Sequence, residues 1–255
     1  MNILNLFDIS GRKALVTGAG RGIGKVLANA LAEAGCDVAV LEIDKKTAEE
    51  TAEAIRGKGR KGIGIQVDVT RKDQVDSAFT RTVKALGGLD ICINNAGISI
   101  QKPAEEMPEE DYEKIIDINL KGVFLCSQAA ARIMIPQKSG SIINIASMSG
   151  IAVNVPQKQA IYNTSKAGVA MLTKSMALEW APYGIRVNSI SPGYMKTEMT
   201  MAAMTHLFPT WESLTPLGRL GVPEELRGAV IFLASEASSY MIGHDLVVDG
   251  GYTIR

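Results

Sequence analysis

KALVTGAGRGIG, residues 13–24, joins a short apolar run to a cluster of glycines, after which a helical pattern begins. Glycines let the chain turn tightly and let a phosphate approach the main chain, and free N–H groups at a helix start attract negative charge. Gly18, Gly22 and Gly24 follow the spacing Gly-Xaa-Xaa-Xaa-Gly-Xaa-Gly, because Ile23 stands where the commoner pattern has its last glycine. This stretch predicts a dinucleotide site after a first strand, although a plain tight turn would use the same glycines.

Short runs rich in Val and Ile recur along the chain, separated by longer amphipathic stretches, which is the rhythm of strand–helix–strand units on a parallel sheet. The predicted strands are Lys13 to Thr17, Asp37 to Glu42, Gly62 to Val67, Asp90 to Asn94, Ser141 to Ala146, Arg186 to Ser191 and Asp245 to Val248. Helices fill the gaps, for example Ala48 to Ile55 and Asp73 to Leu86. We therefore predict a single-domain α/β protein over residues 1–255, a doubly wound Rossmann fold with a seven-stranded parallel sheet.

Composition excludes several classes of partner. The 27 basic residues balance the 27 acidic ones, so no overall field favours nucleic acid. No segment approaches the roughly 20 apolar residues that span a bilayer, and residues 1–11 do not resemble a signal peptide. The cysteines, Cys36, Cys92 and Cys126, lie among apolar neighbours, and the two histidines lie far apart. We expect a cytoplasmic protein without a metal site, a nucleic-acid partner or a membrane partner.

The second predicted strand ends in Leu41-Glu42-Ile43-Asp44, roughly 20 residues after the glycines. An acidic side chain at this place accepts hydrogen bonds from the adenosine ribose and repels a 2′-phosphate, which favours NAD over NADP. The alternative is that these carboxylates only cap the next helix, a role that suits Asp44 better than Glu42. A guanidinium from Arg21 would instead hold a 2′-phosphate, so NADP stays open as the alternative.

Tyr162 and Lys166 stand four residues apart in a long helical stretch, so both side chains lie on one helix face. Bringing a phenol pKa from near 10 to roughly 7 requires about 4 kcal/mol of preference for the phenolate. A lysine ammonium and an oxidised nicotinamide ring supply such a preference by proximity. The pair alone does not establish catalysis, because this spacing occurs in many helices.

Other motifs stand in a fixed order around that pair: Asn94-Asn95-Ala96-Gly97, Asn119, Ser147 and Pro192-Gly193. With the glycine loop, they make the chain resemble the short-chain dehydrogenase/reductase family over essentially its full length. The resemblance implies an oxidoreductase that transfers hydride between a nicotinamide cofactor and a secondary alcohol or ketone. It also implies a homotetramer that uses the long helices and the C-terminal segment.

The resemblance implies a role for each catalytic position. Tyr162 is the general acid in ketone reduction and the general base in alcohol oxidation, and Lys166 lowers its pKa and holds the nicotinamide ribose. Asn119 supports a proton relay to Lys166. Ser147 orients the substrate oxygen, since it stands three residues before Gly150, with Ser149 as the second choice. Either serine would also serve to satisfy backbone groups at a strand end.

The resemblance further places a set of residues around the cofactor. These are Gly18, Arg21, Gly22, Ile23, Gly24, Glu42, Asp68, Val69, Asn95, Ala96, Gly97, Tyr162, Lys166, Pro192, Gly193 and Thr197. Three of them have structural alternatives: Asp68 as a helix cap, Asn95 as a brace between strands, and Thr197 as a plain loop residue.

Within the family, the stretches 146–150, 156–159, 179–181 and 243–252 are most similar to sugar-alcohol enzymes, which interconvert polyols and ketoses. The amides of Asn154, Gln157 and Gln159 suit several hydroxyls, unless they face solvent. We predict that Ser147, Ser149, Asn154, Gln159 and Tyr162 contact the substrate.

The Met-rich segment 193–223 has no strand rhythm, which suits an adaptable flap over a pocket. The other interpretation is a pair of short helices whose apolar residues are core contacts. A methionine-lined pocket would favour another carbonyl substrate, such as a 3-oxoacyl group or a general ketone. A non-catalytic dinucleotide sensor is the alternative from outside the enzymes, although it would have no use for the Tyr162–Lys166 pair.

Overall fold

A computed structural model describes residues 2–254 and contains a sheet of seven parallel strands. The strand order is β3-β2-β1-β4-β5-β6-β7. The strands are β1 (Lys13–Thr17), β2 (Asp37–Glu42), β3 (Gly62–Gln66), β4 (Ile91–Asn94), β5 (Gly140–Ile145), β6 (Ile185–Pro192) and β7 (Asp245–Val248). The predicted fold class is confirmed, and every predicted strand end lies within about one residue of the observed one.

Helices cover both faces of this sheet, which leaves its central strands buried on both sides. The helices are α1 (Gly22–Glu33), α2 (Lys45–Arg56), α3 (Lys72–Leu86), α4 (Glu109–Ile116), α5 (Gly122–Gln137), α6 (Ala160–Trp180), α7 (Glu198–Ala203), α8 (Phe208–Leu214) and α9 (Arg227–Ala234). Leu27 and Leu233 pack in the core on one face, and Phe79 and Met134 pack on the other. The predicted helices over residues 48–55 and 73–86 lie within α2 and α3.

The direction of the chain reverses beside β1, and this reversal creates the cleft. β1 pairs with β2 on one side and with β4 on the other, because the chain crosses back over β1 between β3 and β4. Loops that follow neighbouring strands at such a switch point separate and leave a crevice at the carboxyl ends. The glycine loop follows β1 directly into that crevice.

One π-helical turn, Asp117–Lys121, joins α4 to α5. It carries Asn119, which is fully buried. Single π turns inside helices often lie at functional sites because they redirect one side chain.

The segment 193–223 forms two short helices, α7 and α8, separated by the 3₁₀ turn Thr205–Leu207. Trp211 and Met195 are buried, as the core-contact interpretation expected, whereas Met199 and Met201 are about half exposed.

Between residues 2 and 254, no helix has the length and hydrophobicity to cross a membrane. The three cysteines are buried and unpaired, as predicted.

Candidate active site

A cavity of about 630 Å³ occupies the carboxyl ends of β1, β4, β5 and β6. A cavity of this size, lined mainly by apolar groups and by a few polar ones, is typical of a binding site for a small molecule. The predicted site residues that line it are Gly18, Arg21, Gly22, Ile23, Glu42, Asp68, Val69, Asn95, Ala96, Gly97, Ser147, Ser149, Gln159, Tyr162, Lys166, Pro192, Gly193 and Thr197. Gly24, Asn119 and Asn154 do not line the cavity and support it from behind.

The glycine loop has the shape that a pyrophosphate needs. Gly18 has φ +60°, and a Cβ there would lie 2.8 Å from Ala96 Cα. A Cβ at Gly24 would lie 2.2 Å from the Gly18 carbonyl oxygen. Gly22, with φ +53°, has no atom nearer to its Cβ position than Thr197 Cβ at 4.0 Å, so the space above it is open. A phosphate therefore fits over Gly22, at the start of α1, where helix N–H groups attract it.

Asn95 braces this loop. Its Nδ2 donates to the carbonyl oxygens of Thr17 at 3.1 Å and of Gly18 at 3.0 Å. In return, Thr17 Oγ1 accepts hydrogen bonds from the backbone N–H groups of Asn95 and Ala96. The bracing interpretation is confirmed, and the same side chain also lines the cavity.

Two acidic side chains near the end of β2 have different roles. Glu42 is buried, and its carboxylate accepts hydrogen bonds from Gly20 N at 3.1 Å and from Ile43 N at 2.8 Å. Asp44 instead caps α2, accepting from Lys46 N at 2.8 Å. The capping interpretation is therefore confirmed for Asp44, and Glu42 is the carboxylate that borders the cavity.

Asp68 and Thr197 follow β3 and β6 into the same cavity. The Asp68 carboxylate accepts from Thr70 N and Thr70 Oγ1, whereas the N-cap residue of α3 is Arg71. Asp68 therefore does not cap α3. Thr197 does cap α7, in a reciprocal pair with Thr200, and its local role is that of a helix start.

Tyr162 and Lys166 lie side by side at the start of α6. Lys166 Nζ is 5.8 Å from the centroid of the Tyr162 ring and donates to the Ile145 carbonyl oxygen at 2.7 Å. The Tyr162 hydroxyl is hydrogen-bonded to Ser147. Ser147 Oγ also accepts from Ser149 N at 3.1 Å. The structure thus brings Ser147, rather than Ser149, against the tyrosine.

Burial controls the protonation of this pair. It raises the pKa of Tyr162, and the hydrogen bond from Ser147 opposes that rise. It lowers the pKa of Lys166 to about 8. The phenol therefore stays protonated near neutral pH unless further positive charge approaches, and Lys166 exchanges its proton close to neutral pH.

Asn119 braces the loop after β4. Its Oδ1 accepts from Ile98 N at 2.8 Å, and its Nδ2 donates to Ile98 O at 2.9 Å and to Ser165 Oγ at 3.1 Å. A Cβ placed on Gly97 would lie 3.3 Å from Asn119 Oδ1 and 3.6 Å from Lys166 Nζ. Asn119 and Lys166 therefore flank Gly97, and a larger residue would come between them.

The far wall contains two aromatic residues, Tyr194 and Trp211, that were not among the predicted site residues. Tyr194 accepts hydrogen bonds from Asn154 Nδ2 at 3.1 Å and from Gln157 Nε2 at 2.8 Å. Trp211 Nε1 donates to Gln157 Oε1 at 3.0 Å, and the indole stacks on Tyr194 at 4.1 Å between ring centroids. Tyr194 follows Pro192-Gly193, but pairings across 37 to 54 residues leave no local signal.

Residues 18–253 match the family model described as enoyl-(acyl carrier protein) reductase. The chain belongs to the short-chain dehydrogenase/reductase family and is a nicotinamide-dependent oxidoreductase acting on CH–OH groups.

Its relatives include sugar and sugar-alcohol enzymes. Galactitol 2-dehydrogenase of Rhizobium johnstonii is 44% identical over 257 residues, covering 99% of both chains. Sorbose reductase SOU1 of Candida albicans is 43% identical over 255 residues, covering 99% of this chain and 90% of that protein.

Solved structures agree in fold. A short-chain dehydrogenase/reductase from Mycobacterium marinum superposes with a TM-score of 0.97 at 49% identity and covers all of both chains. A gluconate 5-dehydrogenase from Burkholderia cenocepacia, in complex with NADP and tartrate, superposes with a TM-score of 0.93 at 39% identity, over 99% of both chains. The family and fold predictions are confirmed.

Proposed function

We propose that this oxidoreductase interconverts a polyol and the corresponding ketose. The observation that carries the proposal is the wall beside the Ser147–Tyr162 pair, where the uncharged polar groups of Gln157, Gln159 and Tyr194 line the cavity. Tyr194 and the oxygen of Gln157 are bonded within the wall, but the bonds of Gln159 use only its Nε2 and Gln157 Nε2 makes one bond, so an acceptor and a donor remain for substrate hydroxyls. The similarity to a galactitol 2-dehydrogenase and a sorbose reductase supports the same substrate class.

The reaction needs hydride transfer at one carbon and proton transfer at its oxygen. A bound nicotinamide supplies or accepts the hydride. Ser147 and Tyr162 hold the substrate oxygen between their hydroxyls. Tyr162 gives its proton to that oxygen in ketone reduction and takes it back in alcohol oxidation. Lys166 would hold the nicotinamide ribose and stabilise the phenolate, and the positive charge of an oxidised nicotinamide ring would also favour the phenolate.

A proton path from Lys166 to solvent passes Asn119 in this proposal. A Cβ placed on Gly97 would lie close to both Asn119 Oδ1 and Lys166 Nζ, so these two groups are near each other. This proximity supports the path. With a pKa near 8, Lys166 passes protons on readily at neutral pH.

The cofactor lies along the cavity from the glycine loop to Tyr162. Gly18, Gly22 and Ile23 would hold the pyrophosphate, Asp68 and Val69 would hold the adenine, and Asn95, Ala96 and Gly97 would border the adenosine. Pro192 and Gly193 would turn the chain under the nicotinamide, and Thr197 would contact its carboxamide or the phosphates. We propose NAD, because the buried Glu42 carboxylate stands next to the loop and repels a 2′-phosphate. NADP is the competing cofactor, because the similar gluconate 5-dehydrogenase was solved in complex with NADP. In this chain, Arg21 would then bind the 2′-phosphate.

The functional protein is proposed to be a cytoplasmic homotetramer. Long helices and the C-terminal segment leave apolar side chains exposed: Met171 by 62%, Leu178 by 77% and Ile254 by 84%. Exposed apolar residues that form contiguous patches mark association surfaces. Sedimentation at micromolar concentration distinguishes a tetramer from a monomer.

The segment 193–223 is proposed to act as a flap over the substrate. Tyr194, Met199, Met204 and Trp211 from this segment line the cavity. Because α7 and α8 are too short to be stable as isolated helices, contacts with the rest of the protein hold them in place.

The test is a panel of ketoses and polyols assayed with NADH, NADPH and the oxidised forms by cofactor absorbance. Turnover of ketoses and polyols with the NAD pair is expected. Turnover confined to keto esters or thioesters contradicts the polyol proposal, and a preference for NADPH contradicts the cofactor proposal alone.

A further inference from the structure

The side-chain amide of Gln159 is fixed in one orientation by its neighbours. Nε2 lies 2.9 Å from Asn154 Oδ1, 2.9 Å from Asn163 Oδ1 and 3.4 Å from Ser149 Oγ. An NH₂ group has two hydrogens, so the two short contacts use both of its donors. With Asn154 and Asn163 oriented as they are, turning the Gln159 amide over would bring its oxygen against their two side-chain oxygens, which repel it.

The carbonyl oxygen of this amide, Oε1, has no hydrogen-bond partner among residues 2–254. In that part of the chain, the only fully buried side-chain nitrogen or oxygen atoms without a hydrogen-bond partner are Thr51 Oγ1 and Arg60 Nε. Gln159 Oε1 is therefore not sealed in the protein, although the whole residue is only 6% exposed. The open space that Gln159 lines is the cavity, so Oε1 is an acceptor available to a bound molecule.

This acceptor lies close to the reacting atoms. Ser149, which contacts the Gln159 amide, donates its backbone N–H to Ser147 Oγ, and Ser147 bonds the Tyr162 hydroxyl. A substrate whose oxygen is held by Ser147 and Tyr162 therefore presents the carbons next to the reacting carbon to this wall. A hydroxyl there satisfies Oε1, whereas a methyl group leaves a desolvated acceptor unpaired, which costs binding.

We infer that Gln159 is a specificity-determining residue that accepts, through Oε1, a hydrogen bond from a substrate hydroxyl beside the reacting carbon. The inference rests on the proposed function and narrows it to uncharged hydroxy ketones and their polyols. A carboxylate in that position places anionic oxygen against the amide oxygen. Among the described residues, the cations that line the cavity are Arg21 in the glycine loop, Lys114 on α4 and Lys166, which is bonded to Ile145 O.

Asn154 acts as a positioning residue in this arrangement. Its Oδ1 accepts from Gln159, and its Nδ2 donates to Tyr194, whose ring is stacked on Trp211. Because Asn154 does not line the cavity, it holds the Gln159 amide rather than the substrate. The predicted direct contact between Asn154 and the substrate is thus replaced by an indirect one in this proposal.

The test compares a ketohexose with its 1-deoxy and 3-deoxy analogues and with the 2-keto acid that carries a carboxylate at carbon 1. The wild type is expected to prefer the ketohexose over at least one deoxy analogue by about 30-fold in kcat/KM, since sites that bind a hydroxyl reject analogues lacking it. Gln159→Met keeps the side-chain length but removes the amide, and it is expected to reduce that preference to about threefold. Gln128→Met, on the outer side of α5, is the matched control and keeps the wild-type ratio.

Equal losses on all four substrates in Gln159→Met would mean a purely structural role and would overturn the inference, as would an unchanged ratio. If Gln159→Met does not fold, Gln159→Glu decides, because it keeps acceptor oxygens at the same side-chain length while it replaces the two N–H donors by a negative charge. Retained hydroxyl preference with stronger rejection of the keto acid supports the inference, and a lost preference overturns it. A wild type that reduces no ketose at all refutes the proposed function itself, and with it the inference.

Discussion

The two ends of the cavity are built in different ways. The cofactor end consists mainly of backbone and glycine, with Gly18, Gly22 and Gly24 in one short loop. The substrate end consists of side chains that bond across long sequence separations, such as Gln157 with Trp211, 54 residues apart. A common cofactor requires a fixed backbone shape, whereas a variable substrate is accommodated by exchanging side chains. Mutations at the two ends should therefore separate cofactor affinity from substrate selectivity.

The largest effect is expected where the two ends meet. Tyr162→Phe removes the hydroxyl that exchanges the proton, so kcat should fall by about 10³-fold or more. Cofactor affinity, measured by quenching or enhancement of NADH fluorescence, should stay within about twofold, because a phenyl ring still fills the same volume. Near-normal turnover would show that another group transfers the proton.

A glycine substitution should damage the cofactor end alone. Gly22→Ala points a methyl group into the open space over the loop and imposes φ +53° on a residue with a Cβ. The left-handed conformation costs about 1 kcal/mol. Lost phosphate contact should raise the cofactor Kd by about 10²-fold, since charge-assisted hydrogen bonds contribute about 1.5–3 kcal/mol each. Calorimetric titration with NADH measures this, and selectivity among saturating ketoses should not change.

The difference between the ends also explains what could be predicted from the sequence. β1, β2 and β7 were predicted to the residue, because each is a short apolar run between turn signals. The glycine loop was predictable because its function depends on neighbours in sequence.

The substrate wall was only partly predictable. The amides at positions 154, 157 and 159 were evident from their residue type, but their partners were not. The pairing of Asn154 with Tyr194 exists only after β6 brings the chain back to the cleft. The three-way contact that fixes Gln159 likewise depends on the start of α6. Long-range side-chain geometry has no periodic signature, which is why it was missed.

Cofactor preference tests whether a side chain matters at the backbone-rich end. Glu42→Ala removes the carboxylate beside Gly20, so the ratio of kcat/KM for NADH over NADPH should fall by about tenfold, equal to about 1.4 kcal/mol. Asp44→Ala is the control, because that carboxylate caps α2. It should leave the ratio unchanged and cost about 1 kcal/mol of unfolding free energy. A changed ratio in Asp44→Ala would reassign the ribose contact.

The smallest effect concerns the charge between the two ends. Burial lowers the pKa of Lys166 from its ordinary 10.5 to about 8, so the unfolded chain holds this proton more tightly than the folded one. Below pH 8 the folded state carries the full cost of the buried ammonium, about 3 kcal/mol, and the cost declines as pH rises from 8 to 10.5.

Lys166→Met removes that cost but leaves the Ile145 carbonyl oxygen without its donor, a loss of about 1–3 kcal/mol. At pH 7 the variant should therefore be more stable by about 1 kcal/mol, the difference between these two estimates. Urea unfolding at pH 7 and pH 10 measures the change. The advantage should diminish or reverse at pH 10, where wild-type Lys166 is neutral when folded, and an advantage that grows with pH would show that burial does not control this lysine.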